Sequence, residues 1–269
     1  MNNPPIVVSY GVGTDSSAML IGLHHLGIRP DLIIFADTGS ERLQTMQYIP
    51  IMNRWLKSVG FPQITIVSYQ PKDFKFFPPY RSLYENSLTN ATLPSLAFGG
   101  RKNCSLKWKV APINSYVEKW QPALDTWATG NKITKYIGYD ASPADIKRLK
   151  HIDGKRAGIN TGGAGTMAAD LARDAKRYDT QYPLIQWGWT RAKCIQVITA
   201  AGLPQPGKSS CFFCPAMKTH EVDALRKEEL RKIVVMEARA WHRLRGNWSQ
   251  EKVNSFNVAA YKAWTNAAK

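Results

Sequence analysis

Near the N-terminus, the residues Pro5-Ile-Val-Val-Ser-Tyr-Gly-Val-Gly-Thr-Asp-Ser-Ser17 are the most informative about the fold of the chain. Residues 5–10 form a short run rich in β-branched side chains that leads directly into glycines, a pattern that predicts a strand followed by a tight loop. Residues 16–26 then carry apolar side chains at helical spacing. Strand, loop and helix in this order are the opening unit of an α/β fold.

A second unit repeats that order. Residues 31–36 form a continuous apolar strand, Asp37-Thr-Gly-Ser40 supply turn and N-cap residues, and a helix is predicted to run to Lys57. Residues 63–68 and 135–138 are further strand candidates. Strands that alternate with helices at this spacing predict an α/β fold with a parallel sheet and helices on both faces.

The later part of the chain is mainly helical, over residues 190–201 and 219–245. No internal repeat and no Pro/Gly/Ser linker separates two domains, and 269 residues suffice for one large domain. We therefore predict a single domain over residues 1–269. Its core lies in residues 1–150, and residues 183–269 form a helical, cysteine-bearing and basic extension.

The chain is strongly basic. Lysine and arginine total 36 against 20 aspartate and glutamate residues, which gives a net charge of +16. Such a surface predicts a polyanionic partner, DNA or RNA, although charge alone is also compatible with a generally basic soluble protein.

The C-terminal region interleaves Trp241 and Trp248 with basic side chains. These basic residues are Arg226, Lys227, Arg231, Lys232, Arg239, Arg243 and Arg245. The pattern suits a phosphate backbone with stacked bases, and it equally suits a solvated helix face with buried tryptophans.

The N-terminal residues do not have the pattern of a signal peptide, and no apolar run approaches the roughly 18 residues that span a bilayer. We therefore expect a cytoplasmic protein with no membrane partner. In a reducing compartment, we expect the four cysteines to be metal ligands or catalytic groups rather than disulfides.

The glycine-rich loop lacks the side chains of two common phosphate-binding motifs. A Walker loop needs Gly-Lys-Ser/Thr, and a dinucleotide fingerprint needs a third glycine where Ser16 stands. What remains is Ser-x-Gly-x-Gly-x-Asp-Ser-Ser at the start of a helix, where backbone N–H groups and hydroxyls can meet an anion. An ordinary tight turn with Thr14 or Asp15 as N-cap is the alternative.

Ser9, Gly11, Asp15 and Ser16 resemble the Ser-Gly-Gly-x-Asp-Ser loop of the PP-loop ATP pyrophosphatase superfamily, with an altered interior. Ile34-Phe-Ala-Asp-Thr-Gly-Ser-Glu41 is similar to the second-strand motif of its phosphoadenylyl-sulfate (PAPS) reductase-like branch. This branch includes sulfurtransferases of the DNA phosphorothioation and tRNA thiolation type.

Two later segments extend the resemblance in the family's order. Cys104-Ser-Leu-Lys-Trp-Lys-Val-Ala-Pro112 resembles the cysteine-containing segment of the branch. Tyr136-Ile-Gly-Tyr-Asp140, followed by Arg148, resembles its fourth-strand motif.

The resemblance implies a set of site residues. Phosphates would be held by Ser9, Gly11, Gly13, Thr14, Asp15, Ser16 and Ser17. The nucleoside would be lined by Asp37, Thr38 and Gly138. Substrate phosphate or sulfate would be neutralised by Lys107, Lys109, Arg148 and Lys208. Asp15 and Lys109 are the catalytic candidates, and the nucleotide is ATP, or an adenylyl sulfate, with Mg²⁺.

Cys211-Phe-Phe-Cys214 has the spacing that lets a loop bind one metal through two thiolates. Cys104 and Cys194 complete a four-thiolate site if the fold brings them there. Such a set suits a [4Fe-4S] cluster or tetrahedral zinc, and the resemblance favours the cluster. A three-ligand cluster, a redox Cys211–Cys214 dithiol and a merely buried Cys194 are the alternatives.

Three functions follow as hypotheses. The first is ATP-dependent sulfur transfer to a nucleic acid or nucleotide, forming AMP and pyrophosphate at an iron–sulfur site, with a cysteine desulfurase or another donor supplying sulfur. The second is a phosphoadenylyl-sulfate or adenylyl-sulfate reductase, which is less favoured because the reductases carry a tail cysteine and no cysteine follows Cys214. The third is a non-catalytic nucleotide- or nucleic-acid-binding protein with structural zinc.

Overall fold

A computed structural model describes residues 3–71, 80–94, 103–150 and 173–245. The chain divides into two compact units, each assembled from stretches that are separated in sequence. Unit 1 comprises Met1–Phe35, Leu43–Val67 and Ile113–Ser209, and unit 2 comprises Ala36–Arg42, Ser68–Pro112 and Ser210–Lys269. The core over 1–150 and the extension over 183–269 stay a prediction.

Unit 1 is built on a five-stranded sheet in the order β3-β2-β1-β4-β5. The strands are β1 (Ile6–Ser9), β2 (Leu32–Asp37), β3 (Ile64–Ser68), β4 (Ile133–Ile137) and β5 (Tyr178–Gln181). β1 pairs in parallel with β2 and β4, and β4 pairs in parallel with β5. Because the order runs outward from β1 in both directions, right-handed crossovers place helices on both faces. The predicted α/β fold is confirmed.

Helices connect and follow these strands. They are α1 (Thr14–His25), α2 (Leu43–Ser58), α3 (Leu83–Asn90), α4 (Ala111–Val117), α5 (Gln121–Ala128), α6 (Pro183–Gln186), α7 (Arg191–Ala200), α8 (Thr219–Asp223) and α9 (Lys227–Arg245). Residues 143–150 and 173–177 are also helical. None of the helices in the described ranges is long and apolar enough to cross a membrane.

The core of unit 1 surrounds α1. Ala18, Met19, Leu20, Ile21 and Leu23 of this helix are each 0% exposed. A helix that is apolar on nearly every side is a central one. It packs against α7, so the first loop of the chain is anchored on a fully buried element.

Unit 2 has its own core, formed by aromatic and aliphatic side chains. Its buried members are Leu83, Leu93, Trp108, Cys211, Phe212, Phe213, Leu225, Ile233, Met236 and Ala240. Residues Leu106–Val110 form a π-helical turn between the short helix Asn103–Ser105 and α4. Such wide turns often accompany functional sites, because they redirect side chains out of the regular helical order.

The elements differ from the sequence-based expectation in two places. β4 begins at Ile133, two residues before the predicted strand. β5 was not predicted, because Tyr178-Asp-Thr-Gln181 has one buried side chain and no apolar alternation, as is common for an edge strand. The predicted helix over 219–245 is present as α8 and α9.

Trp241, at 36% exposure, is not fully buried in α9. Trp248 lies outside the described residues, and only the backbone of Arg243 and Arg245 is described.

Candidate functional site

The loop after β1 lies where the strand order of the sheet reverses. β1 has β2 on one side and β4 on the other, and Ser9 of β1 is in register with Ile137 of β4. Ligands of open parallel sheets bind at the carboxyl ends of the strands at such a switch point. The fold therefore makes the loop from Ser9 to Ser17 the candidate anion site of unit 1.

Gly138 determines how closely the end of β4 approaches α1. A Cβ at this position would lie 2.8 Å from the Cα of Ser16 and 3.0 Å from its backbone nitrogen. Because backbone atoms cannot move aside as a side-chain tip can, only glycine fits here. The structure thus brings two predicted site residues together.

Backbone N–H groups of the loop converge on the Ser16 hydroxyl. The N–H groups of Gly11 and Gly13 donate to Ser16 Oγ, each at 3.3 Å. Val12, which lies between them, has a φ of 56°. This left-handed conformation is strained in a β-branched residue, and it turns the N–H groups on either side of Val12 toward the Ser16 hydroxyl.

The N-terminus of α1 is open to an anion. Gly13 occupies the N-cap position and has no side chain to accept the N–H groups of the first turn, while its own N–H donates to Ser16 Oγ. The first N–H groups of a helix have no partner within the helix, and they carry the positive end of its dipole. A bound phosphate would accept hydrogen bonds from these N–H groups and would place negative charge at the positive end of the dipole.

The loop side chains divide into buried and accessible ones. Thr14 is 3% exposed and Ser17 is 0% exposed, and the Ser17 hydroxyl is 2.9 Å from the Tyr10 hydroxyl. Ser9 and Asp15 are partly exposed. Thr14 and Ser17 are therefore placed to hold the loop, whereas contact with a ligand falls to the backbone and the accessible side chains.

Asp15 is paired with an arginine that the sequence patterns did not indicate. Arg191 Nη1, at the start of α7, lies 2.7 Å from Asp15 Oδ2. Burial raises the pKa of Asp15, and the charge of Arg191 opposes that rise. Asp15 Oδ1 is buried and has no hydrogen-bond partner among the described residues.

The segment before the Cys211 motif returns to the loop. A Cβ at Gly13 would lie 2.6 Å from Ser209 Oγ, so the Ser209 side chain rests against the loop. Lys208 is exposed, and its carbonyl accepts a hydrogen bond from the Thr45 hydroxyl at 3.4 Å. The predicted cation Lys208 is thus next in sequence to a residue that contacts the loop, while Ser209 is a site residue that the motifs missed.

Arg148 is exposed and held by two neighbours. Its Nη1 lies 3.2 Å from Asp145 Oδ1, and its guanidinium lies 5.1 Å from the ring centre of Tyr139. This arrangement keeps a cation close to the segment that follows Gly138.

In unit 2, the turn after β2 carries a cysteine contact. Asp37 Oδ1 accepts the Gly39 N–H at 2.7 Å and closes the turn. The Thr38 hydroxyl lies 3.3 Å from Cys211 Sγ and 3.1 Å from Glu41 Oε1. Thr38 is 1% exposed, so its hydroxyl is directed at the cysteine site within unit 2.

Lys109 and Glu41 form an ion pair beside the cysteines. Lys109 Nζ lies 2.9 Å from Glu41 Oε1, and the Glu41 side chain is 1% exposed. Burial acts to lower the pKa of Lys109, but Glu41, Cys211 and Cys214 together raise it. The ammonium group is therefore retained, and it supplies a positive charge next to sulfur. Glu41 was missed as a site residue, although it ends the second-strand motif.

Three cysteines belong to unit 2. The Cys214 N–H donates to the Cys211 carbonyl at 3.1 Å, which forms the turn of the motif. Burial raises the pKa of the Cys104 thiol, and the charge of Cys214 adds to this rise. Burial also raises the pKa of Cys211 to about 12, while Lys109 and Thr38 oppose the change.

Cys194 is placed elsewhere, in the core of unit 1. It is 0% exposed on α7 and packs in the cluster that surrounds α1. Burial raises the pKa of its thiol to about 12.

The three thiols of unit 2 are soft donors of the type that zinc and iron–sulfur clusters take as ligands. Three thiols and a retained ammonium suit iron–sulfur or zinc ligation. Within the residues that the structure describes, no three or more Cys, His, Asp and Glu side chains are drawn together as a metal site.

Lys107 lies in aromatic surroundings. Its Nζ is 4.9 Å from the ring centre of Tyr69, 5.6 Å from that of Tyr80 and 5.9 Å from that of Trp108. The π-helical turn thus directs Lys107 to the tyrosines and Lys109 to Glu41.

Fold and loop together define an α/β protein with a glycine-rich loop at the switch point of a parallel sheet. No protein-family model matches the chain, and no curated protein matches it. Among solved structures, it is similar to the U34-tRNA thiolase NcsA from Methanococcus maripaludis with its [4Fe-4S] cluster, at a TM-score of 0.46 and 14% identity over 93% of this chain and 75% of that chain. A likeness of this strength leaves activity to be argued from the chain's own residues.

Proposed function

We propose that this chain is a PP-loop enzyme that uses ATP to transfer sulfur to a nucleic acid or nucleotide. The observation that carries the proposal is the Ser9–Ser17 loop. It joins a strained glycine-rich turn, a helix N-terminus whose N-cap is Gly13 and a close Gly138 contact at the switch point of the sheet. These features are typical of a phosphate-binding site. The loop is neither a Walker loop nor a dinucleotide-binding loop, because it lacks Gly-Lys-Ser/Thr and has Ser16 in place of a third glycine.

The chemistry has two steps. An oxygen of the acceptor attacks the α-phosphorus of ATP, and pyrophosphate leaves with the electron pair of the broken P–O bond. Sulfide then attacks the acceptor atom that bears the adenylylated oxygen, and AMP leaves. A cysteine desulfurase can supply this sulfur as a persulfide, whose S–S bond a thiol reductant must first cleave. The net change replaces one acceptor oxygen with sulfur, and no oxidant is needed because the sulfur arrives reduced.

The loop residues act on charge in the first step. Loop N–H groups and the exposed Lys208 would neutralise the phosphates, and such preorganised donors matter most where charge develops. The buried, unpartnered Asp15 Oδ1 offers the oxygen ligand that Mg²⁺ prefers. Arg191 would hold the other oxygen of this carboxylate in place.

The thiols of unit 2 are the candidate sulfur site. Cys104, Cys211 and Cys214 would hold an iron–sulfur cluster, or zinc, with Cys194 as the fourth ligand in the alternative arrangement. When bound, the cluster supplies soft iron for reduced sulfur. Lys109 and Thr38 would stabilise negative charge on the Cys211 sulfur.

The test measures AMP and pyrophosphate from ATP with and without bulk RNA or DNA, using protein purified without oxygen and supplied with sulfide. We expect product only with an acceptor, and about a tenfold or greater loss in Ser16→Ala, because the Ser16 hydroxyl holds the Gly11 and Gly13 N–H groups and its removal loosens the preorganised loop. Ser58→Ala, a hydroxyl at the end of α2 that donates to the Trp55 carbonyl, is the matched control and should act as wild type.

Other results would select the other hypotheses. Sulfite released from an adenylyl sulfate without ATP would establish the reductase. ATP binding without pyrophosphate, whatever nucleic acid is added, would establish the non-catalytic protein.

A further inference from the structure

Three segments of unit 2 place tyrosines and a lysine on one buried tryptophan. Tyr69 follows β3, Tyr80 precedes α3, and Lys107 and Trp108 belong to the π-helical turn. The ring centres of Tyr69 and Tyr80 lie 4.7 Å and 6.2 Å from that of Trp108. Trp108 is 1% exposed, so the tyrosines rest on a fixed base.

The outer side of this cluster is accessible. Tyr69 and Tyr80 are half-buried, and Lys107 is exposed. Each tyrosine packs against the core of unit 2 and is only partly buried there. Rings that are held on a core lose little side-chain freedom when a planar ligand stacks on them.

The positive charge of Lys107 beside aromatic rings indicates which kind of ligand the cluster would bind. Lys107 Nζ lies within 6 Å of all three ring centres, and Lys109 on the same turn is already paired with Glu41. An exposed ammonium beside open aromatic rings meets two needs of an unpaired nucleotide, a face for the base and a cation for the phosphate. The net charge of +16 supplies the long-range attraction for such a polyanion.

We propose that Tyr69, Tyr80 and Lys107 form a stacking platform that binds an unpaired segment of nucleic acid. The platform deepens the proposed function, on which it rests for the identity of the acceptor, by assigning the acceptor contact to this surface. A base stacks on the open tyrosine rings, and the adjoining phosphate pairs with Lys107. Lys107, predicted from the sequence to neutralise substrate phosphate or sulfate, is thereby assigned to a phosphate of the acceptor.

The test measures binding of a fluorescent 12-nucleotide single strand of uridines, and of the same strand in a duplex, to the full chain over a series of salt concentrations. We expect the single strand to bind more tightly than the duplex. Tyr69→Leu keeps apolar packing on Trp108 but removes stacking, and it should weaken single-strand binding about tenfold. Tyr69→Phe should bind as wild type.

Lys107→Met removes one phosphate contact at an exposed position. We expect weaker binding at low salt and a salt dependence reduced by about one released ion. Lys57→Met, an exposed lysine on α2 of unit 1, lowers the net charge equally and should leave both quantities unchanged.

Equal binding by Tyr69→Leu, Lys107→Met and wild type would overturn the platform, as would a wild type that prefers the duplex. Because Lys107→Met changes an exposed side chain, it keeps the test valid if Tyr69→Leu fails to fold. Failure of the proposed function looks different: single-strand binding would still depend on Tyr69 and Lys107, but no pyrophosphate would form from ATP.

Discussion

Gly138 is the residue whose replacement reports most directly on the loop. In Gly138→Ala, the new methyl group would meet the Ser16 backbone at 2.8 Å, and the start of α1 must shift. We expect a loss of about 1–3 kcal/mol in the free energy of unfolding, as for other overpacked positions. ATP binding should weaken about tenfold or more, because the loop donors move with α1.

Urea unfolding and calorimetric titration with ATP measure the two effects. Gly60→Ala is the control, since its φ of +73° strains alanine while a Cβ there meets nothing within 4 Å. It should lose stability and keep wild-type ATP affinity. Normal ATP binding by Gly138→Ala would show that ATP does not use this loop.

The Asp15–Arg191 pair makes stability depend on pH in a defined direction. Burial raises the folded-state pKa of Asp15, so the stability that comes from its protonation is lost as pH rises above the unfolded value of about 3.9. Arg191→Gln removes the opposing charge and raises this pKa further. The variant should therefore be less stable than wild type by about 1 kcal/mol at neutral pH, a value reduced for the partial exposure of the pair.

The difference should shrink as the pH falls below about 3, where the carboxyl is neutral in both states. Urea unfolding in metal-free buffer across this pH range measures it. In an Asp15→Asn background, Arg191→Gln should have no such pH dependence. A constant difference between the Arg191 variant and wild type would contradict the coupling.

Site residues that stand in a local motif could be predicted from the sequence. Gly138 and Ser16 could be named because both lie in motifs, and the structure places them in contact. Arg191 and Ser209 could not be named. Their roles arise from a helix and a loop that return to the first loop across more than 170 residues, and no local pattern encodes such contacts.

Helix α1 packs closely against the segment before α7, and the contact is made by Gly22. A Cβ at Gly22 would lie 2.5 Å from Trp187 Cζ3 and 3.0 Å from Trp189 Cη2. Gly22→Ala should therefore destabilise the protein by about 1–3 kcal/mol, although alanine favours a helix over glycine by about 1 kcal/mol. Thermal or urea unfolding measures the change.

A double-mutant cycle with Trp187→Leu tests the cause. The smaller leucine leaves room for the methyl group, so Gly22→Ala should cost little or stabilise in that background. Equal costs in both backgrounds would place the strain elsewhere.

Strands that are buried on both faces were predictable, because continuous apolar runs mark them, as in β2. β5 escaped because an edge strand needs little apolar patterning. The π-helical turn Leu106–Val110 was not predicted, because a turn with one extra residue has no characteristic composition. This turn nevertheless directs Lys107 to the tyrosine rings and Lys109 to Glu41.

For the whole molecule, the division of the four cysteines between two units was beyond sequence reasoning. Cys104, Cys211 and Cys214 belong to unit 2, whereas Cys194 is packed in the core of unit 1. The spacing of Cys211 and Cys214 identified them as a pair. The presence of four cysteines in the chain could not show whether Cys104 or Cys194 joins that pair. Because Cys194 is 0% exposed within the core of unit 1, we propose that the sulfur site uses the three thiols of unit 2.

Metal content distinguishes the three-thiolate from the four-thiolate site. Protein purified without oxygen should carry iron and sulfide, or zinc, in fixed ratio to the chain. We expect Cys104→Ala, Cys211→Ala and Cys214→Ala each to lose that metal, because each removes one of three ligands. Cys194→Ala should keep the full metal content and lose about 1 kcal/mol of stability through a small core cavity. Metal loss in a Cys194→Ala protein that still binds ATP would instead identify Cys194 as the fourth ligand, since ATP binding shows that the core of unit 1 is intact.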